Sequence, residues 1–284
     1  MSDAILTQTG KTLVAGVFGW PVAHSRSPRL HGYWLRKYGI DGAYLPFATA
    51  PEDIFAAIRA LPKLGFRGAN VTLPYKEAAL DAVDDLTPVA RRIGAVNTLI
   101  VGEDGAIRGD NSDGFGFLAH LRASAPLWRA DAGKAIVIGA GGAARGIVVA
   151  LLDAGLRDIV VINRTASRAE SLAADLGPGI AVMDWDDRAA ALKEASLLVN
   201  TTQLGMKGQP PLDLDLEHLP PAAVVDDIVY TPLETPLLAQ ARARGHVAVD
   251  GIGMLLHQAR PGFKAWFGRE PEVDAGLRDF VLRE

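Results

Sequence analysis

Apolar and polar positions follow two rhythms along this chain. Short apolar runs such as Val14-Ala15-Gly16-Val17-Phe18, Ala135-Ile136-Val137-Ile138 and Ile159-Val160-Val161-Ile162 are bounded by glycine, asparagine or other turn residues. Between them lie stretches with helical spacing. Runs of this kind predict strands buried on both faces, and a strand, helix, strand order predicts parallel sheets, so the expected class is α/β. In the first half, the strand at 14–18 precedes a helix from Ser27 to Tyr38, with Ser27 as N-cap, Pro28 at its first position and Gly39 as its stop. Residues 51–61 read as a second helix and 68–72 as a strand that Pro74 breaks. Tyr75-Lys76-Glu77 then opens a helix ending near Val83, which sets Lys76 just past a strand's carboxyl end. Short strands at 95–101 and 106–109, joined around Asp104-Gly105, lead to Asp110-Asn111-Ser112-Asp113 and another helix.

The second half opens a βαβ unit: a strand to Ile138, a glycine-rich turn, a helix to Ala154, and a strand at 159–163. Ser167-Arg168-Ala169-Glu170 has the spacing of a capping box. Further strands are expected at 197–200, 224–229 and 247–249, followed by a long helix from about Gly253 that Pro261 kinks or breaks. At 284 residues the chain predicts two domains, one of about 1–112 and a dinucleotide-binding one of about 113–250.

Composition narrows the chemistry. The 29 basic and 33 acidic residues nearly balance, and no basic block marks a nucleic-acid or membrane surface, which leaves a small-molecule partner. The first residues lack a basic region followed by an apolar stretch, so the expectation is a cytoplasmic protein. There is no cysteine, which removes disulfides, thiolate metal sites and thioester mechanisms. The six histidines form no H-x-x-x-H or H-E-x-x-H pair, and no catalytic metal is expected.

Gly139-Ala140-Gly141-Gly142-Ala143-Ala144 fits G-x-G-x-x-G/A, in which small residues let the backbone turn tightly and approach a pyrophosphate at a helix N-terminus. The pattern follows a strand and opens a helix, the context that gives it meaning. An acid at the end of the next strand would take the ribose 2′-hydroxyl; this chain has Asn163-Arg164-Thr165, with Arg168 following. Two guanidiniums and a hydroxyl suit a 2′-phosphate, and the expected cofactor is NADP(H). The alternative is that both arginines are solvated residues at a helix start.

Five segments in order carry a resemblance: His24-Ser25-Arg26-Ser27-Pro28, Asn70-Val71-Thr72-Leu73-Pro74-Tyr75-Lys76-Glu77, Gly94-Ala95-Val96-Asn97-Thr98, Gly109-Asp110-Asn111-Ser112-Asp113-Gly114 and Asp250-Gly251-Ile252-Gly253-Met254. From Gly19 to Gln258 the chain resembles the shikimate dehydrogenase family. The resemblance implies a two-domain α/β enzyme, an N-terminal substrate-binding domain and a Rossmann domain, with helices of 251–284 returning to the first. It implies reversible NADPH-dependent reduction of 3-dehydroshikimate to shikimate, in aromatic amino-acid biosynthesis, by a monomer or homodimer.

It also implies that Lys76 and Asp113 form the catalytic pair. Reducing a ketone needs hydride at carbon and a proton at oxygen; an ammonium can supply the proton while a carboxylate holds it in place and can also bind a substrate hydroxyl, and the sequence leaves open which of the two transfers the proton. Read without the resemblance, Lys76 is a solvated helix residue and Asp113 an N-cap. By resemblance Ser25, Ser27 and Tyr230 bind the substrate carboxylate, and Thr72, Asn97 and Gln258 its hydroxyls. Ser27 is equally explained as an N-cap, and Asn97 as a satisfied polar residue in a strand. Thr201 and Thr202, in Asn200-Thr201-Thr202-Gln203-Leu204-Gly205-Met206, together with Gly251 and Met254, are expected near the nicotinamide; Gln203 stands where the family has serine, and Ser112 where threonine is usual. The rivals are an NAD-dependent quinate/shikimate dehydrogenase, expected to carry an acid near Arg164, and a non-catalytic protein that binds shikimate or NADP as a regulator.

Overall fold

The computed structural model describes residues 8–283. The chain divides into two compact units, one of residues up to Ser112 together with those from Gln258 onward, the other Asp113–His257. Residues 251–257 thus belong to the second unit and not to the returning segment.

The first unit opens with β1 (Leu13–Gly19), α1 (Ser27–Tyr38) and β2 (Gly42–Ala48). Next come α2 (Ile54–Ala60), β3 (Phe66–Val71), β4 (Asp85–Leu86), α3 (Pro88–Ile93), β5 (Thr98–Val101) and β6 (Ile107–Asp110). They build a mixed six-stranded sheet in the order β2-β1-β3-β5-β6-β4, with β1 parallel to β2 and β3, and β5 antiparallel to β3 and β6. Its core joins Phe18, Ile58, Val71, Ala79, Val96 and Leu99.

Several expectations change here. The helix expected at 51–61 is a 3₁₀ turn at Pro51–Asp53 followed by α2. The helix expected from Tyr75 is a 3₁₀ turn at Ala78–Ala82, and Lys76 lies in the turn before it. One strand starts at Thr98 and not Ala95; just before it, Asn97 donates its amide to the Asp110 carbonyl and accepts from the Val71 amide, which ties it to both neighbouring strands. The N-cap of α1 is Arg26, so Ser27 is the first helical residue; the cap is closed by Ser25, whose Oγ accepts from the Ser27 amide at 3.3 Å.

The second unit contains α4 (Asp113–Ser124), β7 (Lys134–Ile138), α5 (Gly142–Asp153), β8 (Ile159–Ile162), α6 (Ala166–Leu176), β9 (Ile180–Met183), β10 (Ala195–Asn200), β11 (Val224–Asp227), α7 (Pro236–Ala243) and β12 (Val247–Asp250). All six strands are parallel in the order β12-β11-β10-β7-β8-β9. This is the doubly wound arrangement, and its strand order reverses between β7 and β10. Gly114 on α4 meets the Gly146 carbonyl and Ala150 of α5, where an added Cβ would sit 2.6 Å from that oxygen, so the two helices touch through small residues. The capping box at Ser167 is not used: Thr165 is the N-cap of α6 and Ser167 lies inside the helix.

Helix α8 (Gly251–Phe267) runs through Pro261 without ending, and α9 (Ala275–Leu282) follows. Ala259, Phe263 and Trp266 are all buried on either side of Pro261, so packing supports the turn that the missing N–H weakens. Within the first unit Trp266 donates its indole N–H to the Leu99 carbonyl at 2.9 Å. Gly68, with φ 148°, makes room: a Cβ there would lie 2.3 Å from that indole nitrogen.

Candidate active site

The nucleotide-binding half is built by β7, β10 and the start of α5. Gly139 leaves β7 with φ 115°, and a Cβ on it would stand 2.4 Å from the Thr201 hydroxyl, so only glycine admits this turn. Thr201, past the end of β10, donates both its amide and its hydroxyl to the Ile138 carbonyl, at 2.8 and 2.7 Å. The two strand ends flanking the point of reversal are thereby locked together. Gly141 is the N-cap of α5 and offers no side-chain acceptor to the first amides of the helix, which begins at Gly142. An N-terminus of this kind, reached through Gly139 and Ala140, suits a pyrophosphate.

At the end of β8, Asn163 bends the chain by donating its side-chain amide to the Thr165 carbonyl at 2.8 Å, and Arg164, Thr165 and Arg168 are exposed beyond it. No carboxylate stands among residues 163–169. The loop after β10 is fixed by Asn200: its Nδ2 donates to the Leu204 carbonyl and to Asp227, and its Oδ1 accepts from the amide and hydroxyl of Thr202. Gln203 is exposed, and the loop closes through its neighbours, so serine is not required at 203 for this geometry.

Asp227 accepts from Asn200, the Val229 amide and the Thr235 hydroxyl, yet burial pushes its carboxyl up to about 6. Its neighbour Asp226, fully buried, is pushed well above the usual carboxylate range by desolvation and then by the charges of Asp227 and Asp250. Gly251 and Gly253 both have packing reasons: a Cβ would lie 2.2 Å from the Ile228 carbonyl at the first and 2.0 Å from the His120 ring at the second. Met254 is buried just after them.

The first unit gathers Ser25, Ser27, Thr72, Lys76, Asn97 and Gln258. Thr72 follows β3 and donates its amide to the Phe18 carbonyl at 2.9 Å; the Leu73–Pro74 bond is cis, and the Lys76 carbonyl accepts from the Val96 amide at 2.7 Å. Lys76 is therefore carried by a loop pinned at both ends. Asn97, 2% exposed, donates Nδ2 to the Ser112 hydroxyl at 3.1 Å and to Gln258 Oε1 at 3.3 Å, while its Oδ1 accepts from the Thr98 hydroxyl and the Ser112 amide. The Ser112 hydroxyl donates to the Gln258 carbonyl at 2.8 Å, a bond serine supplies as well as threonine would. Asp113, also buried, opens α4 in the second unit, and half-buried Tyr230 follows β11 there. Sequence reasoning did not single out Tyr44, Thr98 or Asn200, which carry much of this polar scaffold; their signal is a polar group within an apolar strand.

A parallel sheet of this order, with a glycine turn at its point of reversal and a second α/β unit carrying polar groups and a lysine, defines a two-domain nucleotide-dependent oxidoreductase. Family models match residues 17–99 as the shikimate dehydrogenase substrate binding domain, 122–205 as shikimate/quinate 5-dehydrogenase and 251–278 as the shikimate 5'-dehydrogenase C-terminal domain. A shikimate dehydrogenase (NADP(+)) of Paramagnetospirillum magneticum is 61% identical over 274 residues, covering 96% of this chain and 99% of that one. Among solved structures, shikimate 5-dehydrogenase of Thermus thermophilus in complex with NADP(H) and shikimate superposes with a TM-score of 0.84 at 37% identity, covering 95% and 98% of the two chains. Quinate dehydrogenase of Corynebacterium glutamicum in complex with NAD gives 0.88 at 31%, covering 95% and 99%. The chain belongs to the shikimate dehydrogenase family and is an oxidoreductase that works with NADP(H).

Proposed function

We propose that this chain catalyses the reversible reduction of 3-dehydroshikimate to shikimate by NADPH, with Lys76 and Asp113 as its proton-transfer pair. The observation that carries the NADP assignment is the end of β8, where exposed Arg164 and Arg168 stand in a stretch with no acid. Charge-assisted hydrogen bonds to a phosphate contribute about 1.5–3 kcal/mol each, enough for two or more decades of preference. When bound, the dinucleotide supplies or accepts hydride at its nicotinamide.

The protein's own groups handle the proton and the substrate's charge. The Lys76 ammonium donates to the carbonyl oxygen as it becomes an alkoxide, and the Asp113 carboxylate is its partner in the proton transfer. Ser25 and Ser27, at the start of α1, receive the substrate carboxylate with Tyr230, and Thr72, Asn97 and Gln258 its ring hydroxyls. Gly139–Ala143, Asn163–Thr165, Arg168, Thr201, Thr202, Gly251 and Met254 hold the dinucleotide.

The test is reduced-cofactor absorbance with shikimate or quinate, each paired with NADP or NAD, beside the Lys76→Ala variant. Turnover centred on shikimate with NADP and lost in the variant is expected. Preference for quinate or NAD makes the chain a quinate/shikimate dehydrogenase, and ligand binding without turnover makes it a regulator.

A further inference from the structure

Residues expected to meet the substrate in the first unit are joined by a buried hydrogen-bonded chain that begins at Tyr44. The Tyr44 hydroxyl, on β2, donates to Asn70 Oδ1 at 2.6 Å. Asn70, on β3, passes the chain on: its Nδ2 donates to the Asn97 carbonyl at 3.0 Å and to the Thr98 hydroxyl at 3.3 Å. The Thr98 hydroxyl donates to Asn97 Oδ1 at 2.8 Å, and Asn97 reaches Gln258. Tyr44, Asn70, Asn97, Thr98 and Gln258 are all buried. Each donor has a defined acceptor, so the orientation of every member depends on its neighbour.

We propose that Tyr44 is a positioning residue for substrate recognition, holding the Asn70 amide in register with Asn97 and Gln258. The inference rests on the shikimate reading above. The Tyr44 hydroxyl supplies a donor to Asn70 Oδ1, and Asn70 in turn donates to the Asn97 carbonyl. Phenylalanine fills the same space and would leave Asn70 Oδ1 buried without that donor, freeing the amide to reorient and loosening Asn97 behind it.

The experiment is steady-state kinetics of the full chain and its Tyr44→Phe variant, with shikimate and NADP varied in turn. The KM for shikimate is expected to rise about tenfold, the size of one to two lost hydrogen bonds, with kcat and the KM for NADP within about twofold. In a cycle with Asn97→Ala, the Tyr44→Phe change should add little to the single Asn97→Ala effect, because Tyr44 acts through Asn70 on Asn97. An unchanged shikimate KM in a folded variant, an equal loss for both substrates, or fully multiplicative effects in the cycle would overturn the proposal. If Tyr44→Phe does not fold, Asn70→Ser removes the acceptor of the Tyr44 proton and carries the same expectation. A parent chain that neither turns over nor binds shikimate removes the underlying reading and this proposal with it. A working parent with an indifferent Tyr44→Phe variant removes this proposal alone.

Discussion

The imidazole of His31 lies flat against the phenol ring of Tyr44, with ring centroids 3.9 Å apart and planes 9° from parallel. Trp34, Phe263 and Trp266 surround the same imidazole, which is fully buried, and neither ring nitrogen has a hydrogen-bond partner among the described residues. Burial lowers its pKa to about 3, so His31 is neutral at physiological pH and behaves as an aromatic slab that fixes the Tyr44 ring.

This makes His31 an acid-sensitive point. The folded pKa lies below the unfolded value of 6.5, so the unfolded chain binds the extra proton first. Stability is complete above 6.5 and is lost as pH falls toward 3. His31→Phe keeps the stack and removes the titration. Its stability relative to the parent should widen by about 3 kcal/mol between pH 7 and pH 4, measured by denaturant unfolding at each pH. A constant difference would show that His31 is not held neutral.

Gly139→Ala tests the cofactor turn. The side chain would be forced into a φ of 115° and against Thr201, so the loop must shift. We expect a stability loss of roughly 1–3 kcal/mol and a KM for NADP raised at least tenfold, with shikimate binding to the isolated protein retained in calorimetry. Normal NADP kinetics would mean that the turn is not where the pyrophosphate sits.

How far the sequence announces this architecture depends on what each signal measures. Apolar runs such as Ile136–Ile138 and Val160–Ile162 are buried on both faces and read directly as strands of a parallel sheet. β2 carries Pro46 between half-exposed residues at an edge of its sheet, and β9 is an exposed edge strand, so neither gives a clean pattern. Pro51 and Pro62 bound α2 at both ends and shorten it. At the site, the glycine turn and the arginines after β8 are local and legible. The Tyr44–Asn70–Asn97–Gln258 chain joins four segments far apart in sequence, and no spacing rule reaches that far.

Arg164→Ala should separate the two dinucleotides. If its guanidinium meets the 2′-phosphate, the KM for NADP rises by about tenfold or more while that for NAD moves within twofold. The effect should shrink in high salt, since Arg164 is exposed. Equal changes for both dinucleotides would leave Arg168 as the discriminating residue or remove the 2′-phosphate from this strand end.

Asp227 should show the opposite pH dependence to His31. Its folded pKa is raised to about 6 from 3.8, so the folded chain holds the proton more tightly than the unfolded one. Its contribution is full below 3.8 and is lost as pH rises through 6. Asp227→Asn keeps an oxygen for Asn200 and the Val229 amide and turns its NH2 toward the Thr235 hydroxyl, which can accept. Relative to the parent, the variant should gain roughly 2 kcal/mol between pH 4 and pH 7. The difference between the two chains reports this group together with the part of the Asp226 shift that the Asp227 charge causes, and both act in the same direction. A gain that grows on acidification instead would mean that the three donors outweigh burial and hold Asp227 ionised.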